Sequence, residues 1–301
     1  MVKQTILSDR DISGKLNPCD ELLKEVAVFK NASSGIQDDT YNFLKSSAVL
    51  HQMLATIRLA EMEGLDKEII REIVSPVRDI LATSALVKRM QTWPRGFPGD
   101  FETIEWLCDG ALNKMNSSTQ VLDNILLYSP TAQQHRNKVV WQGNQVLKTI
   151  QNQTSAKVLS IACGGSRDLL SIVPFLNHQL FSLCLNDVDN EALNLSVERM
   201  KDYTCNLEIV QGDVFHSVRK LNKFGPFDII VAGGLFDYLD NRQAIWLLTH
   251  LIKMLKPDGN LCFTNISKGI PYNGWLDYLA NWQLIARNSA DIENLLHNAG
   301  A

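Results

Sequence analysis

The chain has 301 residues, 45% of them hydrophobic and 21% charged, with a formal net charge of -4. That balance describes a soluble globular protein with enough chain for one sizeable core or two smaller ones. It excludes the dense basic surface of a nucleic-acid binder, and no stretch is long and apolar enough to span a membrane.

The first residues, MVKQTILSDRDISG, lack the apolar run of a secretory signal. Six cysteines (Cys19, Cys108, Cys163, Cys184, Cys205 and Cys262) include no CxxC pair and read as free thiols of a reduced, cytoplasmic protein. The histidines show no ligand spacing, so no metal is expected.

Residues 1–150 read as a helical cap domain. Apolar residues recur at three-to-four spacing over 20–29, 39–63, 66–90, 101–112, 119–127 and 131–149. Asp66 stands as a helix N-cap before Lys67-Glu68-Ile69-Ile70. One break stands out: Trp93-Pro94-Arg95-Gly96-Phe97-Pro98-Gly99-Asp100-Phe101, where prolines and glycines forbid a helix. It is either a connector or, with its aromatic rings, Arg and Asp, part of a site.

Residues 151–301 alternate in character. Strands are predicted over 158–162, 181–185, 207–210, 227–232 and 260–266. Helices are predicted over 167–176, 190–201, 214–221 and 242–255, with one more around 275–284. This order predicts an α/β fold, a doubly wound, mainly parallel Rossmann-like sheet.

The ends of the predicted strands carry the chemistry. The first empties into Ala162-Cys163-Gly164-Gly165-Ser166, small residues that let a ligand approach the backbone, with free N–H groups facing it. After the second comes Asn186-Asp187-Val188-Asp189; an acid there can accept from both hydroxyls of a ribose. Asp187 is the first choice and Asp189 the second, unless Asp189 simply caps the next helix. After the third comes Gln211-Gly212-Asp213-Val214, where Asp213 can take an adenine amine and Val214 can pack on the ring, unless Asp213 simply caps its helix. The fourth ends in Gly233-Gly234-Leu235-Phe236-Asp237-Tyr238, again permitting close approach. Lys256-Pro257-Asp258-Gly259 is a turn before the fifth.

Over roughly 157–267 these motifs together resemble the class I S-adenosylmethionine (SAM)-dependent methyltransferases. A dinucleotide-binding domain would want G-x-G-x-x-G where this chain has C-G-G-S-R-D. RGFPGD at 95–100, SPTAQQHRN at 129–137, AGGLFDYLDNRQA at 232–244 and NGWLDYLANWQLIAR at 273–287 narrow the resemblance. They are similar to a subgroup of 3-hydroxy fatty acid methyl ester biosynthesis methyltransferases, and also to azetidine-2-carboxylate synthases, which cyclise SAM on the same fold. The chain departs from the family pattern at Ser160, where an acid is usual, and at Ala162, where the first glycine is usual. A final β-hairpin has no counterpart after His297, either because the sequence is trimmed or because the sheet lacks its last antiparallel strands.

The resemblance implies SAM as cofactor and a small-molecule substrate under a helical lid, most simply a methyltransferase of specialised metabolism. A cyclase releasing methylthioadenosine and a non-catalytic SAM-binding protein are the alternatives. Phe97 and Phe236 would face the sulfonium, and Arg136 its carboxylate; Arg95 is a second candidate unless it pairs with Asp100. Ala162, Gly164, Gly165, Asp187, Asp213, Val214 and Gly233 complete the expected cofactor set. Asp237, Tyr238 or His135 would serve a hydroxyl or amine acceptor as base, and Tyr128 and Asn137 would orient the amine in a cyclisation. Trp275, Tyr278 and Trp282 are aromatic candidates of the tail, with Trp282 expected in the core.

Overall fold

Short apolar runs bounded by polar turns form five strands: β1 (Ala156–Ile161), β2 (Phe181–Asp187), β3 (Asn206–Gln211), β4 (Phe227–Ala232) and β5 (Leu255–Phe263). The computed structural model describes residues 17–34, 40–110, 120–176 and 181–301. All pairings are parallel, in the order β3-β2-β1-β4-β5. The chain therefore reverses its direction of travel across the sheet between β1 and β4, which puts a crevice outside the carboxyl ends of these two strands.

Alternation decides the two faces. Leu159, Ile161, Ile230 and Ala232 pack with α10 (Val214–Leu221), α11 (Asn241–Lys253) and α12 (Ser289–Ala299). Val158, Leu183, Leu185, Ile229 and Val231 pack on the other face with α7 (Pro130–Asn152), α8 (Arg167–Ile172) and α9 (Asn190–Met200). Both faces are covered, as strands without a polar side require. The expected doubly wound sheet with N-terminal helices is what the chain forms.

The N-terminal helices are α1 (Pro18–Ser33), α2 (Thr40–Met62), α3 (Lys67–Leu81), α4 (Ala85–Thr92), α5 (Phe101–Asp109) and α6 (Gln120–Leu127). The helix expected over 66–90 is two, because the Ser84 hydroxyl accepts from Val87 N at 3.1 Å and caps a new start. Positions 39, 111, 112 and 119 of the expected helices, and the first fourteen residues, lie outside the described residues.

Two further expectations change. Residues 256–259 do not precede the fifth strand but bulge within it, since Phe227 pairs with Leu255 and Ile229 with Asn260. The tail element is a single wide π-turn over Trp275–Leu279, with Ala280 N reaching Trp275 O at 2.8 Å.

Two compact units result, and they do not follow a 150/151 division. The helical unit comprises Met1–Gly99, Gly110–Pro130 and Ile270–Gln283. In it Tyr278 donates to Glu61 at 2.7 Å, Trp93 Nε1 to Asn281 O at 3.0 Å and Gln91 Nε2 to Leu279 O at 2.8 Å. Trp275, Tyr278 and Trp282 are buried there as core. The sheet unit comprises Asp100–Asp109, Thr131–Gly269 and Leu284–Ala301, so α5 and α7 belong to the sheet.

Candidate functional site

In the sheet unit, the turn after β1 is held in a left-handed path at Ala162 (φ 46°), Gly164 (φ 53°) and Ser166 (φ 51°). Ala162 carries that strain with a side chain in place. Its neighbours lock the turn from behind. Ser196 Oγ donates to Gly164 O at 2.8 Å and Arg199 to Gly165 O at 2.5 Å, both from α9. Gly165 has no room for a Cβ, which would meet Arg199 and Leu195 at 2.9 Å. The glycine thus lets the ends of the Arg199 and Leu195 side chains close on the turn.

Asp187, buried at the end of β2, accepts from Gly164 N at 2.8 Å through Oδ2 and from Asp189 N at 2.9 Å through Oδ1. The Gly164 N–H is therefore not the free donor that the sequence suggests; it sets the carboxylate beside the Gly-rich turn. Each oxygen keeps a lone pair for a hydroxyl donor. Burial pushes the Asp187 carboxyl above its ordinary range. Asp189 caps α9, accepting from Glu191 N at 2.9 Å. Asp213 caps α10, accepting from Phe215 N at 2.8 Å, and is exposed, while Val214 behind it is buried.

The segment after β4 is organised by a residue that no motif pointed to. Arg287, 4% exposed, donates to Phe236 O at 2.8 Å, Leu239 O at 2.5 Å and Asn265 Oδ1 at 2.6 Å, and also reaches Asn241. Asp237 Oδ1 accepts from Ile266 N at 2.5 Å, and its carbonyl from Ile285 N at 2.7 Å. Phe236 is fully buried with its ring 4.6 Å from that of Phe263. It is a core residue, not a face for a sulfonium. Tyr238 is exposed.

A polar stripe on α7 faces the same sheet end. His135, Lys138 and Gln142 follow at helical spacing. A Cβ on Gly233 would meet Gln142 Nε2 at 1.9 Å, and one on Gly234 would meet Lys138 Nζ at 3.3 Å. Gly233 therefore makes room for Gln142. Asp168, the second residue of α8, is buried and pushed up to about 6 by burial, partly offset by the backbone N–H groups of Leu169 and Asp168 and then by Lys138. Asp237 is raised by burial and pulled back by Lys138, whose own ammonium burial lowers. Burial, with Lys138 and Arg136 adding to it, holds the His135 imidazole well below its usual range.

Arg136, expected at a carboxylate, instead donates to Leu107 O at 2.9 Å and to Gln133 Oε1 at 3.0 Å, closing the last turn of α5. Asn137 is exposed and accepts from Gln133 at 2.8 Å. Glu105 anchors α5 to the Gly-rich turn through Arg199 at 2.7 Å and Arg167 at 3.0 Å. Phe101 then lies against Gly164, within 3.3 Å of where a Cβ would stand. Asp100, the last residue of RGFPGD, caps α5 by accepting from Thr103 N at 2.9 Å.

Phe97 and Tyr128 belong to the helical unit. Tyr128 is 72% exposed and edge-on to Phe43 at 6.1 Å. The sheet unit thus brings together Gly164, Gly165, Asp187, Asp213, Val214, Gly233 and Asp237 of the expected set. Lys138, Gln142, Asp168, Glu105 and Arg287 escaped sequence reasoning. The 135, 138, 142 spacing is the sequence signal of a polar helix face; nothing local marks the others.

Among the described residues no cluster of His, Cys, Asp or Glu could hold a metal, the cysteines are free, and no helix is long and apolar enough to cross a membrane. Residues 158–259 match the model of a family described as a methyltransferase domain. No curated protein sequence matches the chain. Among solved structures it is similar to a possible exported protein of Bordetella parapertussis, at 15% identity over 97% of this chain and 92% of that one, with a TM-score of 0.58. It also matches the S-adenosylmethionine-dependent methyltransferase SibL in its apo form, at 12% identity over 94% and 89% of the chains and a TM-score of 0.45. A third match is the mitomycin 7-O-methyltransferase MmcR, at 14% identity over 94% and 87% and a TM-score of 0.43. The first of these likenesses extends the shared fold along nearly the whole chain.

Proposed function

We propose that this chain is a SAM-dependent methyltransferase acting on a small molecule. The observation that carries the reading is Asp187, fixed through both oxygens beside the Gly-rich turn of a sheet whose residues 158–259 match a methyltransferase domain. Its remaining lone pairs suit the two ribose hydroxyls. Asp213 keeps acceptor capacity for the adenine amine while capping α10.

The fit extends to charge. Asp168, Asp187 and Asp237 are all raised by burial, so each lacks full compensation within the chain. A ligand bearing a sulfonium and an ammonium supplies it. When bound, SAM offers an activated methyl group to an acceptor aligned behind it.

The protein's part is positioning and exclusion of water. α5, with Phe101 on Gly164, shields one side of the turn. Arg287 fixes the backbone of 236–239, and with it Asp237. Asp237 Oδ2 is then available to take the proton from a hydroxyl or amine acceptor; a carboxylate acceptor needs no base.

Incubation with SAM, alone and with pools of small carboxylates, alcohols and amines, followed by mass spectrometry, tests this. The expected result is S-adenosylhomocysteine formed only with an acceptor, together with a methylated product. Methylthioadenosine released from SAM alone would replace methyl transfer with cyclisation. Intact SAM under every condition would leave a binding protein.

A further inference from the structure

Two donors on adjacent turns of α7 end at one place without an acceptor. Gln142 is 3% exposed, and its Nε2 makes no hydrogen bond among the described residues. That amide occupies the volume a Gly233 side chain would fill. Lys138 is half-buried, stands over Gly234, and makes no ion pair or hydrogen bond among the described residues. Asp237, Cys108 and Asp168 act on it through space without pairing with it.

Burying a donor without a partner is costly, and burying an unpaired charge more so. An apolar stripe would avoid that cost here, since Val139, Val146 and Ile150 already supply the core face of the same helix. We propose that Lys138 and Gln142, over Gly233-Gly234, form a carboxylate subsite of the sheet unit. The ammonium supplies charge and the amide a second, directional bond, so a planar two-oxygen anion satisfies both. The carboxylate belongs either to the amino-acid end of SAM or to the acceptor, and this placement rests on the SAM-dependent reading above. It transfers to Lys138 the role that the sequence suggests for Arg136, whose guanidinium closes α5.

Calorimetric titration of the full chain, as wild type, Lys138→Met and Gln142→Leu, with S-adenosylhomocysteine and with methylthioadenosine, which has no carboxylate, tests the subsite. A third titration adds butyrate to protein saturated with S-adenosylhomocysteine. If the cofactor supplies the carboxylate, both variants lose at least tenfold in affinity for S-adenosylhomocysteine and keep that for methylthioadenosine. If the acceptor supplies it, only butyrate binding is lost.

Equal weakening of both nucleosides, or no change in any titration, overturns the subsite. Wild type binding neither nucleoside defeats the SAM reading instead, and butyrate binding without nucleoside then decides the subsite alone. Thermal melts guard against misfolding: removal of an unpaired ammonium leaves the free Lys138→Met protein as stable as wild type or more so. A marked fall in its melting temperature would make Lys138 structural and overturn the proposal.

Discussion

Asp168 sits beside the Gly-rich turn with its carboxyl raised to about 6 from an ordinary 3.8. Burial dominates, and the sign of the consequence follows. Below about pH 4 the group is protonated both folded and unfolded and costs nothing. Between pH 4 and 6 the unfolded chain ionises first, so folding stability falls as pH rises; above pH 6 the loss is complete, at most about 3 kcal/mol. Asp168→Asn should therefore melt at a higher temperature than wild type at pH 8 and lose that advantage by pH 4. Melting curves across this range check it, and a variant less stable at pH 8 would mean that the carboxylate is compensated within the chain. The same residue shows what sequence reading misses. Asp187 is legible because a strand end and a Gly-rich turn mark it locally. Asp168, Lys138 and Arg287 owe their roles to neighbours far along the chain, and an Arg at 287 near the carbonyls of 236 and 239 has no local signature.

At the level of elements, glycines record which backbones and side chains must meet. Gly233 looks like a ligand-approach residue in the sequence, yet its missing Cβ is where the Gln142 amide lies. Gly233→Ala should displace the Gln142 amide at a cost of about 1 kcal/mol, since only the end of that side chain has to move, and Gln142→Ala should return most of it in the double variant. Denaturant unfolding of the two singles and the double measures the coupling, and strict additivity would deny the contact. The strands were readable because continuous apolar runs survive burial on both faces. The 256–259 bulge and the break at Ser84 were not, since a Pro-Asp-Gly turn inside a pairing strand and a cap inside an apolar-periodic helix are decided by packing.

Over the whole molecule, the two units are woven from separate stretches: the helical unit takes back Ile270–Gln283, and the sheet takes Asp100–Asp109 and α7. Composition and periodicity separate helical from alternating grammar at about residue 150, but they are blind to such returns. Separately expressed fragments 1–150 and 151–301 should fail to unfold cooperatively. The first lacks Tyr278 for Glu61 and Leu279 for Gln91; the second lacks Val146 and Ile150 from beneath β1. A sigmoidal urea transition in either fragment would contradict that weave.

The most direct measurement is calorimetric titration of SAM into the wild-type chain and into Asp187→Ala. The account predicts saturable one-to-one binding by wild type and at least a tenfold loss in the variant, with the variant still folded by circular dichroism. No binding by wild type, or equal affinity in a folded Asp187→Ala, would contradict a cofactor held by Asp187 at the carboxyl end of β2.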